Sequence, residues 1–432
     1  MAERGREANG KADTMAIMVG GGPAPGINGV IAAATIEAIN CGLRVIGLRD
    51  GFRWIVEGDT SHTVDLGIQD VSRIHFTGGS ILRTSRTNPA RDEESLARAA
   101  AALERLGVRY LVCIGGDDTT YGASRLAQRC AGRIGVATVP KTIDNDLPLP
   151  ENAPTFGFET ARSVGSAIVE SLMEDARTTG RWYLAVTMGR TSGALALGMC
   201  KSAGATLAVI PEEFGRDKIA LGEVVDILIG SIVKRKAMGH NNGVALIAEG
   251  IAEHLDAAAM PDLGRFDYDP YGHVQLADVP LGSLLRHQLR TGLKELGLDT
   301  AVVSKDIGYE LRSAKPVPFD VEYTRTLGYG AVRYLLGGGS GALIAISGGR
   351  VTPVALEQLT DPKTSRIRVR RIDVATESYQ VARSYMIRLE PSDLEKPMLS
   401  RIAAQTNLSQ AAFRDRFLHV VELPAAQASP SP

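Results

Sequence analysis

The sequence predicts an α/β protein with mostly parallel sheets, covered by helices on both faces. Short apolar, β-branched runs recur along the chain, and helix-length amphipathic stretches separate several of them. The length of 432 residues predicts two or three domains. With 44% hydrophobic and 22% charged residues, the composition is that of a well-packed globular protein rather than a disordered one.

In chain order, the strand-like runs are "TMAIMVG" from Thr14, "LRVIGLR" from Leu43, "YLVCIGG" from Tyr110 and "IGVATVP" from Ile134. "RWYLAVTMG" from Arg181, "ATLAVIPE" from Ala205, "NGVALIAEG" from Asn242 and "GALIAISGG" from Gly341 follow. Segments such as "SLARAAAALERLG" and "SVGSAIVESLMEDART" read as the covering helices. The Pro- and Gly-rich "PENAPTFGF" marks a domain boundary near residues 155–165.

Several functional classes are disfavoured. A net charge of −1 gives no electrostatic footprint for nucleic acid or an anionic membrane. No apolar run reaches the roughly 18 residues of a membrane span. The polar N-terminus "MAERGREANGKADT" lacks a signal-peptide core. Cys41, Cys113, Cys130 and Cys200 are scattered without metal or redox spacing, as expected of free thiols in the cytoplasm.

In parallel α/β sheets, ligands bind beyond the carboxyl ends of strands, so the residues after each strand carry the functional signal. The first strand runs into "GGGPAPGINGV", where Gly21, Gly22 and Gly26 let backbone approach an anion at a helix start. Pro25 stands where the dinucleotide fingerprint needs its third glycine, which argues against a nicotinamide enzyme. The "CIGGDDTT" strand end places Asp117 and Asp118 side by side at a helix start. One N-cap needs one such side chain, whereas two adjacent carboxylates suit a magnesium ion bridged to phosphate. "VPKTIDNDLPLP" crowds Lys141, Thr142, Asp144 and Asp146 into six residues, more charge than a turn requires. Around "RWYLAVTMGR", Arg181 precedes a strand and Arg190 follows it, where arginine forks can hold phosphate. A glycine cradle, a metal carboxylate, a base, a lysine and arginines form the inventory of phosphoryl transfer. The chain has neither a P-loop nor the kinase "HRD" motif.

From about residue 15 to about residue 350, these motifs resemble the 6-phosphofructokinase family, in its pyrophosphate-dependent branch. The resemblance implies two Rossmann-like three-layer α/β/α domains. It also implies magnesium-dependent, reversible transfer from diphosphate to the 1-hydroxyl of fructose 6-phosphate. It assigns Gly21, Gly22 and Arg86 to the donor, and Asp117 to the metal. It makes Asp144 the general base, with Thr142 beside it orienting the transferring group. Met188, Gly189, Arg190 and Glu212 fall on sugar-contacting positions, and Tyr309 and Arg312 on the pair that holds the 6-phosphate. Arg181 falls on an arginine supplied across a subunit interface, which implies a homodimer or homotetramer.

Asp118 and Lys141 carry the donor choice. The ATP-using branch has glycine at both positions; a carboxylate at Asp118 repels a nucleotide α-phosphate, and Lys141 compensates a shorter donor. The sequence departs from the family at Val186, Thr187, Arg83 and Val303. A second Tyr-x-x-Arg pattern at Tyr385 and Arg388 leaves two candidates for the phosphate pair. A longer acceptor such as sedoheptulose 7-phosphate, an ATP-dependent kinase, and a non-catalytic sugar-phosphate-binding subunit are the competing readings. The expected organisation is a flexible tail at 1–14, a donor domain at 15–158 and a sugar domain at 159–309. Part of 310–400 is expected to return to the donor domain, with an extension and tail at 401–432.

Overall fold

A computed structural model describes residues 12–255, 279–362 and 366–423. Most of the expected N-terminal tail and the last nine residues of the C-terminal one lie outside the described residues. The described chain divides into two units. One holds residues 12–161 and Tyr309–Arg370; the other holds residues 162–255, 279–308 and 371–423.

The strands in chain order are β1 (Thr14–Val19), β2 (Arg44–Leu48), β3 (Thr63–Asp65), β4 (Val108–Gly115), β5 (Gly135–Thr142) and β6 (Phe156–Gly157). They continue with β7 (Trp182–Thr187), β8 (Leu207–Val209), β9 (Gly243–Ala248), β10 (Val302–Ile307), β11 (Ala342–Ser347) and β12 (Arg350–Ala355).

The first unit is built on a sheet of order β12-β11-β5-β4-β1-β2-β3, with β6 added beside the end of β5. Its interior pairings are parallel, while β3 and β12 join its edges antiparallel. Alternation along β1 explains the layers. Met15, Ile17 and Val19 enter one core with residues of the helices Ile27–Asn40 and Pro318–Leu336. Ala16 and Met18 enter another with the helices Glu93–Arg105 and Asp117–Arg129. A strand buried on both faces is apolar through its interior: all six residues of β1 are buried, and Met15 to Val19 are all apolar. A smaller apolar cluster joins Leu147 and Leu149, beyond β5, to Leu343, Ala345, Leu356, Leu359 and Ile367.

The second unit holds a four-stranded, all-parallel sheet of order β10-β7-β9-β8. Helix Leu281–Glu295 packs on β10 and β7, and helix Ala194–Ala203 packs on β8 and β9. The C-terminal helices Met398–Ala403 and Gln410–Val421 pack on helix Leu221–Ala237. Among the described residues, no helix is long and apolar enough to cross a membrane.

Candidate active site

In the first unit, the carboxyl ends of β1, β4 and β5 are neighbours in one sheet, so the turns after them converge. Thr119, in the first turn of helix Asp117–Arg129, sets their spacing. A Cβ on Gly20 or Gly115 would lie within 2.4 Å of the Thr119 side chain, so both strand ends need glycine for this helix to approach. Gly21 has a left-handed φ of 79°, which turns the chain away from β1. It is tied to the segment carrying Arg86: the Gly21 amide donates to the Ser85 carbonyl at 2.9 Å, and the Thr84 hydroxyl donates to the Gly21 carbonyl at 2.5 Å. Arg86 itself is exposed.

Lys141, the penultimate residue of β5, is only 5% exposed. Its ammonium donates to the carbonyl of Gly22 at 2.6 Å. Burial, then the nearby Arg312 guanidinium, push it down to about 8, while Asp144, Asp117 and Asp146 act in the opposite sense. The Arg312 guanidinium lies directly over Gly22, where a Cβ would fall 1.6 Å from Nη2. Arg312 also sits 5.4 Å above the Tyr309 ring. The pair expected to hold a sugar phosphate is therefore gathered with the glycine turn and Lys141. Two cations held close despite their repulsion make a site for a multiply charged anion.

Past Lys141 the chain enters a tight turn. The Thr142 hydroxyl donates to the Asp144 carboxylate at 3.0 Å and accepts from the Asp144 amide at 3.0 Å. Thr142 is 8% exposed, Asp144 is half-buried, and the next residue, Asn145, is left-handed with φ 57°. Asp117 and Asp118 are half-buried at the start of their helix, a favourable end for bound anions and for the hard oxygens around a cation. Among the described residues, no cluster of three or more His, Cys, Asp or Glu forms a protein cage for a metal. This donor set fits a magnesium ion completed by phosphate and water, the usual mode for that ion.

In the second unit, the turn after β7 carries Met188, Gly189 and Arg190. The Met188 amide donates to the Ile307 carbonyl at 3.1 Å. Gly189 has φ 155° and Arg190 φ 50°, so both amides turn inward. Glu249, 8% exposed at the end of β9, accepts them at 3.1 and 2.9 Å. Its signal in the sequence is an acid directly after the apolar run "VALIA". Glu212 lies in the short turn Pro211–Phe214 after β8. One carboxylate oxygen accepts from the amides of Gly193 at 3.0 Å and Ile372 at 3.2 Å. Its other oxygen is buried without a hydrogen-bond partner among the described residues. Burial raises the Glu212 carboxyl above its ordinary value. Arg181, just before β7, lies 3.9 Å from Asp175 with its side chain 38% exposed.

The fold separates the two Tyr-x-x-Arg patterns. Arg388 is 3% exposed and paired at 2.7 Å with Glu213, which is 1% exposed and also accepts from the Tyr379 hydroxyl at 2.7 Å. Tyr385 points outward at 79% exposure. That second pattern is a structural ion pair beside Glu212.

The phosphofructokinase family signature matches residues 14–335. Over 419 residues the chain is 52% identical to the pyrophosphate–fructose 6-phosphate 1-phosphotransferase of Thermotoga maritima, covering 96% of this chain and 100% of that protein. It is 46% identical to the enzyme of the same name from Naegleria fowleri, covering 95% and 96% of the two chains. The crystal structure of pyrophosphate-dependent phosphofructokinase from Nitrosospira multiformis shares the fold, with a TM-score of 0.67 at 18% identity over 87% of this chain and 91% of that one. The strand-end turns of both α/β units lie within the matched region, and the chain belongs to the phosphofructokinase family.

Proposed function

We propose that this protein transfers a phosphoryl group from pyrophosphate to the 1-hydroxyl of fructose 6-phosphate, reversibly and with magnesium. Two observations carry the donor: Lys141 is buried on the Gly22 carbonyl, and Asp118 stands in the first turn of helix Asp117–Arg129. The names and near-complete coverage of the relatives from Thermotoga maritima and Naegleria fowleri support the same reading.

In this reading the sugar 1-hydroxyl attacks the nearer phosphorus of pyrophosphate. The bond from that phosphorus to the bridging oxygen breaks, and orthophosphate departs. Asp144 takes the hydroxyl proton, with Thr142 fixing its carboxylate through the 3.0 Å hydrogen bond. Lys141 and the amides beyond Gly21 and Gly22 neutralise charge on the departing phosphate, and Arg86 adds to the donor's contacts. Asp118 rejects a nucleotide by standing where further phosphate charge would fall. Asp117 would hold the magnesium, whose charge offsets that of the phosphates when bound.

On the acceptor side, Arg190, with Met188 and Gly189, is assigned to the sugar phosphate, and the unsatisfied oxygen of Glu212 to a sugar hydroxyl. Tyr309 and Arg312 are assigned to the 6-phosphate, and Arg181 to the same group from a second subunit of a homodimer or homotetramer. An assay with fructose 6-phosphate, run separately with pyrophosphate, ATP and NAD, tests this function. Turnover with ATP but not pyrophosphate would overturn it. Sedoheptulose 7-phosphate in parallel fixes the acceptor.

A further inference from the structure

We propose that Arg370 is a positioning residue for phosphoryl transfer, locking the turn that aims the Asp144 carboxylate. The proposal rests on the reading of Asp144 as the base. Arg370 lies beyond the matched residues 14–335 and belongs to none of the motifs singled out in the sequence.

The turn needs such a lock. Asn145 holds a left-handed φ of 57°, which asparagine tolerates better than most residues but does not enforce. Leu147 and Leu149 anchor the later part of the loop in an apolar cluster. Residues 144–146 precede that anchor. Arg370 reaches this stretch with backbone and side chain together. Its amide donates to the Asp146 carbonyl at 2.6 Å. Its Nε donates to the Asn145 carbonyl at 3.0 Å, and its Nη2 donates to the Asn145 side-chain oxygen. Nη1 donates to the Ala153 carbonyl at 2.9 Å, so one guanidinium bridges the start and the end of the loop. The Thr155 amide shares the Asn145 side-chain oxygen at 3.1 Å, and the Thr155 hydroxyl donates to the Thr142 carbonyl at 2.8 Å. The residues on either side of Asp144 are thereby held by one connected network.

Only arginine has the planar fork of donors that this set of acceptors requires. The lysine ammonium is a point charge on a flexible stem and cannot reproduce three divergent contacts. A shift of about 1 Å in a reacting group can cost on the order of 10²-fold in rate, so the lock acts on turnover more than on binding.

The test compares Arg370→Lys and Arg370→Ala with wild type, using pyrophosphate, fructose 6-phosphate and magnesium, with folded fraction measured alongside. Arg370→Lys is expected to unfold cooperatively and to lose about 10- to 100-fold in kcat, with KM for pyrophosphate little changed. Added guanidinium ion is expected to restore part of kcat in Arg370→Ala. Introduced into Asp144→Asn, Arg370→Lys is expected to cost nothing more, because two residues acting through one group are not additive. Wild-type kcat in folded Arg370→Lys would overturn the proposal alone, leaving Asp144 untouched. So would losses that multiply in the double variant. Full activity in Asp144→Asn would remove the base reading, and this proposal with it. If Arg370→Lys does not fold, Asn145→Gly keeps the left-handed turn while deleting the shared acceptor. A fall of about 3- to 10-fold in its kcat is then expected, a fraction of the full misalignment cost. An unchanged kcat would overturn the proposal.

Discussion

The ammonium of Lys141 rests 2.6 Å from the carbonyl oxygen of Gly22, joining the end of β5 to the glycine turn after β1. A buried cation on a glycine turn has a pH signature. Burial and Arg312 bring Lys141 from 10.5 down to about 8 in the free protein. Pyrophosphate favours the charged form, so binding above pH 8 takes up a proton. We expect kcat/KM for pyrophosphate to fall as pH rises through about 8, and calorimetric binding heats to depend on the buffer's ionisation enthalpy. The stability effect has the opposite sign. Between about 8 and 10.5 the unfolded chain holds more protons at this residue than the folded one, so its contribution to stability grows with pH across that window. A melting profile of Lys141→Met that tracks wild type throughout this range would contradict the assignment.

Asp144→Asn preserves shape and the amide contact to Thr142 while removing the base. Turnover is expected to fall about 10²- to 10⁴-fold with substrate binding largely kept. Single-turnover measurement at saturating substrates checks this, since near-wild-type chemistry would remove Asp144 from its role.

The legible parts of the molecule are those where burial forces a pattern. β1, β4, β5, β7 and β9 sit inside sheets, and each carries a mostly apolar run such as Met15–Val19, Leu111–Ile114 or Val244–Ala248. The edge strand β12, "RVTPVA", has two exposed positions, Arg350 and Pro353, and it carries no such run. β10, at the edge of the second sheet, includes the exposed Lys305 and Asp306 and was equally silent. The same logic applies to the site. Asp117, Lys141, Asp144 and Arg190 announce themselves because charge directly follows an apolar strand. Arg370 follows "RIRV", where charged and apolar residues alternate, and only the fold brings it to Asn145. Arg312 was assigned to a sugar phosphate through the family resemblance alone, and its position over Gly22 depends on the return of Tyr309–Arg370 to the first unit.

Arg388 distinguishes a buried structural pair from a ligand contact. Replacing one partner leaves Glu213 charged, 1% exposed and short of a counter-ion. Arg388→Met is therefore expected to cost about 3–5 kcal/mol of stability, the range for breaking a buried pair. Tyr385→Phe should be neutral, because that side chain is 79% exposed. Denaturant unfolding compares the two, and a stable Arg388→Met with a raised KM for sugar phosphate would return Arg388 to the phosphate pair.

Donor choice is expected to reside in Asp118 and Lys141, for reasons of charge placement. Pyrophosphate brings only the transferring and leaving phosphates, so the protein must supply the compensation that a nucleotide obtains from its further contacts. Lys141 supplies it where negative charge develops, and a preorganised cation there is worth several kcal/mol, of order 3, in the transition state. Asp118 adds negative charge at the start of the neighbouring helix, which a third phosphate meets and the smaller donor does not. Asp118→Gly alone should admit ATP weakly, since repulsion is removed but no contact to adenosine is created. Lys141→Gly should lower kcat with pyrophosphate more than it raises KM, because its interaction strengthens as the bond breaks. The double variant should then shift the ratio of kcat/KM for ATP over pyrophosphate toward ATP, chiefly by loss of the pyrophosphate reaction. Steady-state kinetics with each donor measure that ratio, and a value equal to wild type would show that these two residues do not select the donor.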